Sequence, residues 1–181
     1  MKLVFPKLEL QSGTTLCLHI PPGFHDQEAL VEEEILKQAH QQGKTAIISK
    51  PATRRAGLLE RFRKRNAIEW LAHEAETSKG EAALIVAEYG IPIALDLSII
   101  PGTPRCLLGI AAALARKPQV LVYSTAGLDP AGRIRVHQFL APRRSGACFI
   151  HLSWPSFKGT GEPAPRSCPE GVCVLMFGEE F

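Results

Sequence analysis

Five short apolar runs, kept apart by stretches of helical pattern or by a long connection, limit what this chain can fold into more than any single residue does. In order they are "LCLHI" at 16–20, "TAIISK" at 45–50, "QVLVYS" at 119–124, "ACFIHLS" at 147–153 and "GVCVLMF" at 171–177. Runs of this length, rich in branched apolar residues and bounded by turn residues, read as strands buried on both faces. The segments between them predict helices over about 26–41, with apolar Ala29, Leu30, Ile35 and Leu36, over 55–77 and 80–89, over 106–117 ("CLLGIAAALARK") and near 130–140. The stretch "YGIPIALDLSIIPGTPR" reads as an irregular connection because proline and glycine interrupt it, and 154–170 reads as a loop rich in Pro, Gly and Ser. Strands alternating with helices predict an α/β domain: a mostly parallel sheet flanked by helices. The crowd of helices over 51–118 predicts a small helical subdomain inserted within a single domain spanning 1–181.

Composition narrows the function classes. At 181 residues and 45% hydrophobic content there is material for one packed domain. The formal charge of +3 is too small to imply a polyanionic partner by itself. No run approaches the roughly 18 apolar residues of a membrane span, and "MKLVFPKLEL" lacks the apolar stretch of a signal peptide, so a cytoplasmic protein is expected. The five cysteines, at 17, 106, 148, 168 and 173, form no disulfide framework. Cys168 and Cys173 bracket "PEGV", but no second Cys/His pair completes a four-ligand set. Neither a metal nor a cofactor is expected.

The segment "LARKPQVLVYSTAGLDPAGR" resembles the ATP-binding cassette (ABC) ATPase family, in which a helix ending in "ALAR.P" feeds the Walker B strand and then the D-loop "GLD". The stretch at 82–105 is similar to the family's helix and loop leading into its signature motif. "GVCVLMFGEEF" is similar to its terminal strand, and "LELQSGTTLCLHIPPG" to the strand and turn that enter a Walker A loop. The similarity spans nearly the whole chain as an order of elements, and only the helix-to-D-loop segment is specific as sequence. The resemblance implies a P-loop NTPase-like fold.

The chemistry of the family does not survive the comparison. A Walker A loop wraps phosphates with backbone N–H groups, places a lysine on the terminal phosphates and a hydroxyl on magnesium. Aligned without gaps, "IPPGFHDQE" puts Ile20 and His25 at the two glycines, Asp26 at the lysine and Gln27 at the hydroxyl, so that only the internal Gly23 remains. Asp26 reverses the charge and suits the N-terminus of the following helix, where it and Glu28 complement the dipole. The letters Gly43, Lys44 and Thr45 imitate a Walker A ending, but they follow a helix and precede a strand. Phosphate binding requires the opposite order, so Gly43 reads as a helix C-cap.

The Walker B acids, which hold magnesium and orient the attacking water, are replaced by Val122, Tyr123 and Ser124. Trp154 stands where the switch histidine belongs, with His151 three residues earlier. Lys50 and Pro51 stand where the family has a glutamine. The signature remnant "IPGTPR" keeps Gly102 and Arg105 but loses the serine and second glycine, and Pro101 and Pro104 remove two donors. Loss of lysine, magnesium ligand and water-orienting acid together should abolish phosphoryl transfer, which depends on positioning and electrostatics.

The expected function is that of a pseudo-ATPase. Its partners, as the resemblance implies, are a homologous active ABC ATPase subunit, a transmembrane permease gripped through the helical subdomain, or both; a homodimer is a further arrangement of the same kind. Such a chain would sit on the inner face of the plasma membrane through its partner. The D-loop lies at the seam of ABC pairs, so Gly127, Leu128 and Asp129 are expected to form a protein contact, with Leu128 as apolar anchor and Asp129 also capping the next helix. "RRAGLLERFRKR" gathers Arg54, Arg55, Arg61, Arg63, Lys64 and Arg65 around one apolar side of a helix, Leu58, Leu59 and Phe62. That helix suits an anionic lipid surface or an acidic protein, or simply a solvated face; without a stacking array of aromatics a nucleic acid partner is not expected. The competing function is an atypical α/β enzyme using His25, Asp26 and His151, or a binding module that acts through the basic helix without nucleotide.

Overall fold

The computed structural model describes residues 3–20, 27–53, 66–91, 101–153, 172–176 and 178–179. It divides into two compact units, residues 1–48, 118–126 and 142–181, and residues 49–117 and 127–141. The second unit takes in the helix after the D-loop as well as the stretch read as an insertion.

The first unit is built on β1 (Leu3–Val4), β2 (Thr15–His19), α1 (Glu28–Gln41), β3 (Ala46–Ile48), β4 (Val120–Ser124), β5 (Cys148–Ser153), β6 (Val172–Met176) and β7 (Gly178–Glu179). Five strands form one sheet in the order β3-β4-β5-β2-β6, every neighbouring pair parallel. β1 pairs antiparallel with β7 in a separate two-stranded ribbon. The parallel α/β sheet expected from the alternating pattern is present, with each run read as a strand lying within a residue or two of its place.

Alternation along the strands sorts the two faces. Leu16 and Leu18 of β2, Val120 and Val122 of β4, and Cys148, Ile150 and Leu152 of β5 belong to one core cluster, which they share with Val31, Ile35 and Ala39 of α1. Those helix positions are four apart and so lie on one stripe. Of the four apolar residues named in this helix from the sequence, Ile35 is buried in the cluster, whereas Leu30 and Leu36 are exposed. The far face carries Thr15, Cys17 and His19, in register with Phe149, His151 and Ser153.

Side-chain amides of α1 hold the chain that precedes β2. Gln38 accepts from the Leu8 N–H at 2.8 Å and donates to the Pro6 carbonyl at 3.1 Å, and Gln42, one turn on, donates to the Leu8 carbonyl at 2.8 Å. Leu8 and Leu10 are thereby seated in the core. α1 ends at Gly43, whose φ of +67° closes the turn, and Lys44 spends its ammonium on the Leu10 carbonyl. The segment that imitates a Walker A ending is therefore a helix terminus.

The second unit comprises α2 (Ala67–Glu74), α3 (Lys79–Glu88), α4 (Gly102–Ala115) and α5 (Pro130–Leu140). Asn66 caps α2 by accepting from the Glu69 N–H at 2.9 Å. Ser78 and Glu81 form a reciprocal capping box on α3. α4 begins four residues earlier than expected, because Gly102 to Arg105 form its first turn rather than a loop. Proline costs little there, since the first-turn N–H groups have no partner within the helix. From Cys106 to Ala113 every residue of α4 is buried. Gly109 is where the backbone of residues 50 and 51 crosses the helix: a Cβ at that position would lie 2.0 Å from the Lys50 carbonyl oxygen.

Candidate functional site

In the helical unit the two motif remnants form one corner. Leu128 packs over the first residue of α4, with its Cδ2 only 3.2 Å from where a Cβ of Gly102 would stand. One turn into α5, Gly132 meets the Thr103 hydroxyl, which a Cβ would approach to 2.2 Å. Asp129 caps α5, its Oδ1 accepting from the Gly132 N–H at 2.6 Å, and Pro130 occupies the first helical position. Arg133 reaches back to donate its Nε–H to the Leu128 carbonyl at 3.0 Å. Gly127 has φ of +77°, a conformation that favours glycine. The D-loop turn is thus pinned at both ends to the signature remnant, and Thr103, Gly132 and Arg133 belong to the corner although no motif singled them out.

Leu128 is only 8% exposed and fills the space that Gly102 leaves. The surface of the turn consists of Ala126, Gly127, Asp129 and Pro130. Arg105 lies in the first turn of α4, where its carbonyl accepts from the Ala52 N–H at 3.0 Å.

In the sheet unit, Val122, Tyr123 and Ser124, which the resemblance aligns with the Walker B acids, stand at the carboxyl end of β4. Val122 is fully buried in the α1-side core. Tyr123 stacks on His151 with ring centroids 5.0 Å apart and planes 19° from parallel. The Ser124 hydroxyl accepts from the Ala126 N–H at 3.2 Å and so belongs to the turn itself. His151 lies in the middle of a buried chain from β2 to the residue just past β4: its Nδ1 is 3.3 Å from Cys17 Sγ and its Nε2 is 2.9 Å from Thr125 Oγ1. The strand position expected for His151 is the one it occupies. One step further along the same face, His19 Nδ1 lies 2.6 Å from Ser153 Oγ. Cys17, His19, Thr125 and Ser153 were not foreseen, because only the register of β2 against β5 brings them together.

Gln27 is the residue flanking the start of α1 and makes no side-chain capping bond. Gly23, His25 and Asp26 of the Walker A remnant lie outside the described residues, as do the basic positions Arg54, Arg55, Arg61, Arg63, Lys64 and Arg65, together with Trp154, Cys168 and the rest of the loop after β5. Among the described residues no cluster of three or more His, Cys, Asp or Glu side chains is placed to hold a metal ion. The donors at the end of β4, a phenol and a hydroxyl already engaged within the protein, do not fit the hard, carboxylate-preferring magnesium that accompanies a nucleotide. No helix among the described residues is long and apolar enough to cross a membrane.

No protein-family model matches the chain, and no curated protein matches it in sequence. Solved structures do match. The chain superposes on a protein from an inward-facing metal-chelate-type ABC transporter with a TM-score of 0.58 at 11% identity, covering 81% of this chain and 65% of that one. It superposes on an ATP-binding cassette, solved as a dimer in a post-hydrolysis state with ADP and Pi bound, with a TM-score of 0.57 at 13% identity, covering 81% of this chain and 77% of the other. The chain therefore spans just under two thirds of the first of these proteins. With its parallel sheet and its neighbours among ABC transporter ATPase domains, this chain has the P-loop NTPase-like fold of an ABC ATPase.

Proposed function

We propose that this chain is a pseudo-ATPase, an ABC-ATPase-like subunit inactive in ATP hydrolysis that serves as a structural or regulatory partner of an active ABC ATPase, of a membrane permease, or of both. The observation that carries the reading is the contrast between two places. The end of β4 holds Val122, Tyr123 and Ser124, with the Tyr123 ring stacked inside the protein and the Ser124 hydroxyl engaged in its own turn. The corner that joins D-loop to signature segment is meanwhile closely packed, with two glycines at points of near contact. Parts that serve phosphoryl transfer are replaced, and parts that shape an assembly surface are kept.

The outer side of α3 supports a permease as one partner. Gly80, Ala83, Leu84 and Ala87 follow helical spacing on that side, and Leu84 is 73% exposed. They form a small apolar strip flanked by Glu81 and Glu88 on a helix already packed on its other side, and such a strip is suited to a second helix.

Mg-ATP tests the inactive reading directly. A ligand present at 100 times its Kd adds about 2.7 kcal/mol, equivalent to a rise in Tm of about 5–10 °C for a chain of this size. Millimolar Mg-ATP is expected to leave the melting temperature unchanged and to yield no phosphate; a shift of that size, or turnover that disappears when Ser124 is altered, overturns the proposal. For the partner, Leu84→Glu is expected to weaken co-purification with a co-expressed permease at least tenfold while leaving the circular dichroism spectrum intact.

A further inference from the structure

His19 is the last residue of β2 and Ser153 the last of β5, and the two are opposite each other in register on the face of the sheet that does not join the α1 core. Their side chains are half-buried, with Ser153 Oγ 2.6 Å from His19 Nδ1, the spacing of a nucleophile and its general base. Both stand at the carboxyl ends of adjacent strands in a parallel sheet, the side on which open α/β sheets carry their ligands. The hydroxyl is held on a rigid element, because the Ile20 N–H donates to the Ser153 carbonyl at 3.0 Å and extends the ladder by one bond. Beneath the pair on the same face lie Cys17, His151 and Thr125, buried and hydrogen-bonded to one another, so the pair forms the rim of a polar row.

We infer that Ser153 is an acyl-accepting nucleophile with His19 as its general base, acting on small activated carboxylic esters. The pair immediately precedes the positions aligned with the Walker A loop and the switch histidine, and its chemistry needs neither metal nor ATP. In the first half-reaction the Ser153 proton passes to His19 Nδ1 as the Oγ–C bond forms and the carbonyl electron pair moves onto oxygen. When that intermediate collapses, the bond to the leaving alkoxide breaks and His19 returns the proton to it. Water then attacks the acyl-serine, giving its proton to His19, which passes it to Ser153 Oγ as the carboxylic acid departs. The overall change is hydrolysis of the ester, with no redox partner.

A biotin-tagged fluorophosphonate, which loses fluoride on transfer to an activated serine, reads this out on the full chain. The expected result is one covalent adduct, mapped to the peptide containing Ser153, absent from Ser153→Ala and formed at least about 100-fold more slowly in His19→Gln, the size of a lost general base. Peptide mapping of the unmodified sequence does not depend on how either variant folds. An adduct on another residue, no adduct on Ser153 under conditions that label a serine hydrolase, or an undiminished rate in a folded His19→Gln protein overturns the inference.

Discussion

Two residues show how tightly single positions are held. At Gly109 an added methyl group would meet backbone, the Lys50 carbonyl oxygen at 2.0 Å and its carbon at 2.9 Å, so the crossing chain has to move. Gly109→Ala is expected to cost about 1–3 kcal/mol or more, lowering Tm by about 3–10 °C, whereas Gly146→Ala, with open space around its Cβ, is expected to stay within about 0.5 kcal/mol. Thermal melts of the two variants side by side check this. Cys106 is the second case. Burial pushes its thiol up to about 11, because a thiolate inside α4's packed surface loses its hydration. Since the folded protein favours the neutral form, the stabilisation is complete below the ordinary thiol range and is lost as pH rises from about 9 through about 11. At pH 8, Cys17, Cys106 and Cys148, all buried, are expected to react with a disulfide reagent only when the protein unfolds. Rapid reaction of any of the three in the native state, located by peptide mapping, contradicts that expectation.

At the scale of elements, α3 depends on its first turn. Hydrogen bonds from the Thr77 hydroxyl and from the Ser78 N–H and hydroxyl hold the Glu81 carboxyl below the usual range. A lowered carboxyl contributes at pH values above its unfolded pKa, and that contribution disappears as pH falls through the folded value, so the α3 N-terminus is expected to fray at acid pH. Amide exchange of Glu81 and Ala82 followed from pH 7 to pH 3 checks this, with Glu81→Gln expected to flatten the dependence. The elements also show which parts of the fold sequence reveals. Branched apolar runs mark β2 to β6 because burial on both sides of a parallel sheet leaves no room for polar residues. α5 is legible from Asp129 and Pro130, an N-cap residue followed by a proline suited to the first helical position. The start of α4 was hidden, since "PGTPR" carries the residues of a turn and only the packing of Gly102 under Leu128 and Thr103 against Gly132 makes it helical. The same limit hid His19 and Ser153: the strands are visible one at a time, but the pairing of β2 with β5 is a property of the sheet.

At the scale of the whole molecule, each unit keeps its own structural logic, a sheet with an α1-backed core on one face and, among the described residues, the helices α2 to α5. Candidate site residues are divided accordingly, with His19, Thr125, His151 and Ser153 in the sheet unit and Gly102, Leu128 and Asp129 in the helical one. The fold was readable from the order of elements, whereas a pair of side chains formed across strands does not show in sequence. The sheet order has one more consequence, for how the chain is made. β2 leaves the ribosome well before its neighbours in the sheet, β5 and β6, and Cys17 meets His151 across 134 positions of sequence. Until those late strands are synthesised, β2 has both edges open, and closing so long a loop must be achieved before any of its ladder bonds can compensate. A nascent chain of this protein therefore carries an unpaired apolar strand until β5 and β6 emerge, which makes it a client for chaperones that shield such edges and makes its yield sensitive to the speed at which the stretch between β2 and β6 is translated.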